Sequence, residues 1–179
     1  MPRTSYTEIR AKYLEAYVSR VDADWETYFM LAAAYANSRQ GEQTDRAALR
    51  AIDEAMARWP PDPPAGMTAR LYSHRSALKK RLGRLREAKV DAEIALSLTE
   101  TDHGYEYADA TYNLACIEAM LGNREAALQH IAELSRLGAI KMIFPHLNDY
   151  FSSLRNDSEF QRLLVLGKGR MQMHTPVGE

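Results

Sequence analysis

The chain has one cysteine, Cys116, together with nine glycines and seven prolines among its 179 residues. A single cysteine excludes an internal disulfide framework and any zinc site built from several cysteines. The low glycine and proline content excludes collagen-like and proline-rich architectures. The longest apolar run, 28–36, is far shorter than the ~20 residues that cross a bilayer as a helix. These absences leave an ordinary globular chain.

The chain also lacks an excess of either charge. It carries 23 basic and 24 acidic residues, for a net charge of -1. This balance argues against a dedicated non-specific nucleic-acid binder. The first ten residues lack the apolar core of a signal peptide. With 46% hydrophobic and 26% charged residues, we expect a soluble, cytoplasmic protein that has no membrane partner and does not take nucleic acid as its main ligand.

Sequence motifs for catalysis are missing as well. There is no HExxH, no phosphate-binding glycine loop and no Gly-x-Ser-x-Gly elbow. Cys116 stands between Ala115 and Ile117, which predicts a buried small side chain rather than a nucleophile. None of the five histidines pairs with another at helical metal-ligand spacing; they are His74, His103, His130, His146 and His174. The sequence therefore predicts no enzyme, no catalytic residue, no metal and no cofactor.

What is present is helical periodicity. Turn signals for hairpins are absent, and apolar residues recur every three or four positions, as in Ala127, Leu128, Ile131, Leu134 and Leu137. Ala, Leu, Glu, Arg, Met and Gln, which all favour helices, recur throughout the chain. The predicted fold class is all-α.

An internal repeat is visible in this pattern. The segment 82–88 reads LGRLREA and the segment 121–127 reads LGNREAA, so that Gly83 and Gly122 are 39 residues apart, as are Ala88 and Ala127. Each glycine follows one helix-length segment and precedes another, where a left-handed residue ends a helix. Each alanine begins the buried face of the next helix and would allow two helices to approach closely.

This repeat resembles the tetratricopeptide repeat (TPR) family, whose unit is a helix–turn–helix of about 34 residues. The resemblance implies an α-solenoid of three units at about 24–60, 67–100 and 105–138. Matching positions in the first unit are Tyr28, Leu31, Ala32, Tyr35, Ala48, Ile52, Ala55 and Pro60. Those in the second are Tyr72, Arg75, Ser76, Gly83, Ala88, Asp91, Ala92 and Ala95. Those in the third are Leu114, Ala115, Gly122, Ala127, Leu128 and Ile131.

The sequence departs from the family pattern at three places. The first unit has about four extra residues in its turn, within 38–44, and a loop near His103 lengthens the link between the second and third units. Lys79 and Glu118 stand where the family usually has a large aromatic residue.

Capping helices are expected at both ends, because a solenoid exposes apolar surface where it stops. Ser5-x-x-Glu8 predicts an N-terminal cap over 5–21. A C-terminal cap is predicted over 139–166, since 153–160 resembles the closing segment of many bacterial TPR proteins, with Asn156 as the helix N-cap and Glu159 three residues on. The expected domain is 1–166, and we expect 167–179 to form a flexible tail.

The resemblance also implies a binding groove, lined by the first helix of each unit. Arg70, His74, Ala77 and Arg81 share one helix face by their spacing alone. The groove does not resemble the carboxylate clamp of some TPR proteins, because Phe29, Ala33, Asp109 and Asn113 replace its basic and amide residues. The predicted partner-binding residues are Phe29, Met30, Asn37, Arg70, His74, Arg81, Tyr112, Asn113 and Met120.

These residues predict a non-enzymatic adaptor or scaffold that binds a protein or peptide. If the basic stripe formed by Arg70, His74 and Arg81 is free, the partner is expected to carry acidic residues. The competing possibility for the stripe is that Arg70 or Arg81 pairs with Asp102, Glu106 or Asp109 of the neighbouring helix. An alternative function is a regulatory or assembly subunit that self-associates or pairs with a partner enzyme. A third is a small-molecule or nucleic-acid binder that uses the basic segment 70–89. The oligomeric state stays open.

Overall fold

The computed structural model describes residues 6–38, 41–99 and 104–173, with side chains as far as Gly167. Within these ranges all regular secondary structure is helical, with no strand. The helices are α1 (Tyr6–Val18), α2 (Trp25–Ser38), α3 (Glu42–Ala57), α4 (Met67–Arg81), α5 (Leu85–Ser97), α6 (Tyr105–Leu121), α7 (Arg124–Arg136) and α8 (Ser158–Met173). Three short 3-10 helices, at Ile140–Met142, Phe144–His146 and Ser152–Leu154, lie between α7 and α8. The all-α prediction is confirmed.

Consecutive helices pack against each other in pairs. The most extensive contacts join α2 to α3, α4 to α5 and α6 to α7, and each pair also contacts the next along the chain. In addition α4 contacts α6, the first helix of the following pair. The first helices of the second and third pairs therefore form a common surface.

Two glycines end helices as the repeat predicted. Gly83 and Gly122 have φ values of 74° and 78°, in the left-handed region that favours glycine. At each site the amide after the glycine donates to a carbonyl five residues back: Arg84 to Lys79 at 2.9 Å, and Asn123 to Glu118 at 2.9 Å. This Schellman geometry satisfies the free carbonyls of α4 and α6 and turns the chain into the next helix.

The buried core follows the chain in three successive clusters. The first joins α1 to α4 around Leu31, Ile52 and Leu71. The second joins α5 to α6 around Ala92 and Ile117. The third joins α6 and α7 to the C-terminal segment. Each cluster is formed by elements that are close in sequence, as in proteins built from stacked helical units.

The predicted helix-crossing alanines, Ala88 and Ala127, are both fully buried. Lys79 and Glu118, which stand where the family usually has an aromatic residue, are buried as well. Each has an ion partner. Lys79 Nζ lies 2.7 Å from Asp91 Oδ2, and Asp91 also pairs with Arg75. Glu118 Oε1 lies 2.7 Å from Lys89 Nζ. Charged pairs thus occupy positions where an aromatic residue was expected, and they link α4 to α5 and α5 to α6.

The C-terminal cap packs onto α6 and α7 through stacked rings. Phe151 and Phe160 are fully buried, with ring centroids 5.8 Å apart. The predicted cap residue, Asn156, is wrong by one position. Asp157 Oδ1 instead accepts hydrogen bonds from the amides of Glu159 and Phe160, at 2.9 and 3.0 Å. The same carboxylate also pairs with Arg124 of α7.

Helix α8 continues through Gly167 to Met173, past the predicted domain end at 166, and Gly167 packs directly on Ile140. That 167–179 forms a flexible tail stays a prediction. Residues 174–179 lie outside the described residues.

At the other end, α1 stops at Val18 rather than near Val21. Ser5 lies outside the described residues, so its predicted capping role stays a prediction. The inward face of α1 buries Ala11 and Leu14. Its outward face carries exposed Tyr6, Ile9, Tyr13 and Tyr17, which we call the α1 aromatic stripe.

Candidate functional site

Two neighbouring cavities open on the surface formed by α4 and α6. The larger is about 380 Å³ and the smaller about 230 Å³, and they share Ala77 and Asp109. The smaller is lined by Arg70, Ser73, His74, Ala77, Tyr105, Glu106 and Asp109. The larger is lined by Gly41, Asp45, Ala77, Lys80, Arg81, Asp109, Tyr112, Asn113, His146, Asp149 and Tyr150. We call the two together the groove. Arg70, His74, Arg81, Tyr112 and Asn113 of the predicted set line it.

Phe29 closes the groove at the α2 end. Its ring lies edge-on to His74, with centroids 5.3 Å apart, and the Arg70 guanidinium lies 5.7 Å from the Phe29 centroid. Arg70 is exposed and forms no ion pair with Glu106 or Asp109. An exposed guanidinium beside an aromatic ring is suited to contacting an acidic or apolar group of a partner.

His74 is partly buried between Phe29 and the smaller cavity. Burial lowers the pKa of His74, and the nearby Arg70 and Arg81 lower it further, while Asp109 acts in the opposite direction. The imidazole is therefore neutral at neutral pH and can either donate or accept a hydrogen bond.

Arg81 does not serve as a free groove cation. Its guanidinium pairs with Asp45 of α3 and donates to the Ala36 carbonyl at 3.3 Å. The sequence correctly suggested that a carboxylate might neutralise Arg81 but named the wrong helix. The partner comes from the preceding unit, because Arg81 is the last residue of α4 and points back toward the α2–α3 turn.

Asn113 was predicted as a groove contact, but its side chain is buried and already bonded. Its amide donates to Ser73 Oγ at 3.0 Å, and its Oδ1 accepts from Lys80 Nζ at 2.9 Å. Ser73 in turn donates to Asp109. These bonds tie α4 to α6 and fix the position of Asn113 in the wall of the larger cavity. Its role in partner binding stays a prediction.

Lys80, which also lines the larger cavity, was not among the predicted site residues. Its side chain is only 3% exposed, and its Nζ lies 4.9 Å from the Tyr112 centroid and 4.6 Å from the Tyr150 centroid. Burial lowers the pKa of Lys80, although Cys116 and Asp109 act in the opposite direction. No signal in the sequence marks it, because Lys79, Lys80 and Arg81 together read as an exposed basic helix end.

The C-terminal segment supplies the far wall of the larger cavity. The His146 ring stacks on Tyr150 at 5.0 Å and lies 6.0 Å from Tyr112. The Tyr112 ring lies at the edge of the third core cluster, and its hydroxyl is buried. The predicted cap therefore also forms part of the site.

Four predicted groove residues do not line either cavity: Phe29, which flanks the smaller one, and three others. Met30, Asn37 and Met120 are exposed on α2 and α6. Their role in partner binding stays a prediction.

Cys116 is fully buried behind Tyr112 and Lys80. Burial raises the pKa of the thiol, despite the opposing effect of Lys80. Cys116 therefore keeps its proton at neutral pH, which is the unreactive form.

Within the described residues, no three His, Cys, Asp or Glu side chains converge in the way that a metal ion requires. In the same residues, no helix combines the length and the apolar character needed to cross a membrane. No family model, curated protein or solved structure matches the chain.

Proposed function

We propose that the chain is a TPR-type adaptor that binds a peptide segment of a partner protein along the groove. The observation that carries this proposal is the continuous pair of cavities on α4 and α6, flanked by Phe29 of α2. Peptide recognition by helical repeats uses such concave surfaces.

The groove chemistry suggests the kind of segment. Arg70 and Phe29 offer a cation and a ring at one end, and Tyr112, His146 and Tyr150 offer rings at the other. A segment with an acidic residue near one apolar or aromatic anchor fits this arrangement, since charge steers association and buried rings supply affinity.

Selection from a random peptide library, followed by binding measurements, tests the proposal. Selected peptides are expected to combine an acidic residue with an apolar anchor. Arg70→Glu should slow their association about tenfold at low salt, because it reverses the one exposed cation of the smaller cavity. Arg86→Glu on α5 is the matched control, since Arg86 is exposed but lies outside both cavities.

Equal association rates for Arg70→Glu and Arg86→Glu would place the peptide elsewhere. Failure of the library to yield any peptide that the unaltered protein binds would contradict the adaptor function itself.

The α1 aromatic stripe favours the second candidate function, a regulatory or assembly subunit that works through self-association. Tyr6 and Tyr13 are 77% and 71% exposed on the outermost helix. Terminal units of helical arrays normally carry a polar outer face, and exposed apolar patches often mark protein interfaces. Sedimentation of the unaltered protein and of Tyr13→Glu tests this: a dimer that dissociates in the variant supports it, and a monomer in both opposes it.

A further inference from the structure

A further cavity, of about 340 Å³, lies between α3 and the turn that joins α4 to α5. Four of its residues, at positions 46, 49, 50 and 53, are three or four apart on α3 and therefore share one face of that helix. It has no lining residue in common with the groove. We call it the α3–α5 cavity, and it is lined by Arg46, Leu49, Arg50, Asp53, Leu82 and Arg84.

The α3–α5 cavity differs from the groove in the sign of its charge. Three arginines and one aspartate line it, so that basic residues exceed acidic ones by two. In the lining of each of the two groove cavities, acidic residues exceed basic ones by one. A concave surface whose charges have one sign attracts a ligand of the opposite sign, so the α3–α5 cavity favours an anion.

The three guanidinium groups are accessible and have donors to spare. Arg50 is exposed and, among the described residues, has no carboxylate within ion-pair distance. Arg46 and Arg84 are exposed as well, and each donates from Nε and Nη2 to a glutamate nearby in sequence, Glu42 and Glu87 respectively. The two Nη1 hydrogens of each remain for a ligand. Exposed pairs of this spacing are weak, so both side chains can turn toward an anion at little cost.

Asp53 shows that the α3 wall and the α4–α5 turn are close together. It lies one turn after Arg50 on α3, and its Oδ1 is 3.5 Å from Arg75 Nη1 of α4. The hydrogen bond with Glu87 raises the pKa of Arg84, and the charge of Asp53 also raises it. The Arg84 guanidinium is therefore within electrostatic reach of the α3 face that carries the other two arginines.

The number of arginines suits a phosphate monoester better than a carboxylate. A phosphate monoester carries nearly two negative charges at neutral pH and three strong acceptor oxygens. Guanidinium groups bind such oxygens through paired hydrogen bonds, so three arginines can share one phosphate group. Leu49 and Leu82 add apolar surface beside the cations, against which the organic part of an ester can pack.

We propose that the α3–α5 cavity binds a phosphate monoester group, held by Arg46, Arg50 and Arg84. Asp53 stays paired with Arg75, which weakens its repulsion of the ligand. A small phosphate ester and a phosphorylated side chain of a partner protein present the same group, and the experiments below distinguish these two sources. The site goes beyond the proposed function, because it lies outside the groove and requires no peptide there.

Calorimetry with phenyl phosphate and benzenesulfonate tests the charge requirement. Both compounds have one ring and three terminal oxygens, but at about pH 7.5 phenyl phosphate carries two negative charges, since its second pKa is about 6, and benzenesulfonate carries one. Phenyl phosphate is expected to bind about tenfold tighter, because the additional charge meets three cations. No detectable heat with phenyl phosphate, or equal affinity for the two compounds, would overturn the proposal.

A peptide library with a central phosphoserine and degenerate flanking positions distinguishes the two sources. Enrichment of a flanking sequence that depends on Arg50 assigns the site to a phosphorylated partner protein. Binding of phenyl phosphate without any enriched peptide assigns it to a small phosphate ester.

Two substitutions locate the site. Arg50→Gln removes the arginine that has no ion pair, so it should leave the melting temperature unchanged and weaken phenyl phosphate binding about tenfold. Arg84→Gln should weaken binding to a similar extent. The matched control is Arg162→Gln on α8, which breaks an exposed pair with Glu159 at the spacing of the Arg84–Glu87 pair but outside the cavity, and it should not change the affinity. Equal affinity in all three variants would contradict the site.

Discussion

Asp91 is the residue whose charge contributes most clearly to stability. It is 2% exposed and pairs with both Arg75 and Lys79. Asp91→Asn keeps the shape but leaves two partly buried cations without their carboxylate, and we expect a loss of about 3 kcal/mol in the free energy of unfolding. The matched control is Glu42→Gln, in an exposed pair with Arg46, which should cost less than ~1 kcal/mol. Urea unfolding measures both, and equal losses would contradict a structural role for the Asp91 cluster.

The two histidines with lowered pKa values predict how stability depends on pH. Burial lowers the pKa of His74 and His130 below the ordinary 6.5. The unfolded chain therefore binds protons more readily than the folded chain as the pH falls through 6.5, and the free energy of unfolding should decrease from pH 7 to pH 5. His74→Gln should make this decrease smaller, and an unchanged pH slope in that variant would contradict a buried neutral His74.

The residues of the site show which features the sequence could reveal. Arg70, His74 and Tyr112 were found because helical spacing and repeat register assign a face to each position. Lys80 and the bonded state of Asn113 were not found, because they depend on which side chain of a neighbouring helix lies opposite. The same reason explains why Arg81 pairs with Asp45, 36 residues earlier, rather than with the acids of α6.

At the scale of helices, the small residues at crossings determine how closely the pairs pack. Ala127 is fully buried within the third core cluster, beside Ala115 and Cys116 of α6. Ala127→Leu should overpack this contact and cost ~1–3 kcal/mol. Ala132→Leu, at an exposed position of the same helix, should change stability by less than ~0.5 kcal/mol. A similar urea midpoint for both variants would argue against close packing of α6 and α7 at this position.

Gly167 tests how α8 docks. Replacing a helical glycine by alanine usually stabilises a helix by about 0.5–1 kcal/mol. Here an added Cβ would lie 2.5 Å from Ile140 Cγ2, so Gly167→Ala should destabilise instead, by ~1–3 kcal/mol. The double variant with Ile140→Gly measures the coupling between the two positions: the cost of Gly167→Ala should shrink when the clashing side chain of Ile140, including its Cβ at 2.7 Å, is gone. If the changes in the free energy of unfolding of the two single variants simply add in the double variant, the two residues do not touch.

The helices themselves could be predicted well from glycine positions and apolar periodicity, as α4 to α7 show. The helix ends were predicted less accurately where the end depends on a contact with another part of the chain. Asp157 caps α8 and also pairs with Arg124 of α7, and Ile140 lies against Gly167 inside α8. Neither contact leaves a trace in the local sequence.

At the scale of the whole molecule, the order of packing along the chain determines which helices share a surface. Each helix pair contacts mainly its neighbours, and α4 contacts α6 directly. The C-terminal segment closes one end of the groove with His146 and Tyr150, so the cap and the proposed peptide site are physically continuous. The sequence predicted the pairs and the groove face but not this contribution of the cap.

Hydrogen exchange of the protein with and without a library-selected peptide tests the central claim most directly. If the peptide binds in the groove, backbone amides of α4, α6 and the segment 144–150 should exchange more slowly in the complex, together with those of α2 near Phe29. Exposed amides of α3, α5 and α7 should be unaffected. Protection concentrated on α3, α5 and α7, or on α1 alone, would contradict the groove as the site of partner binding.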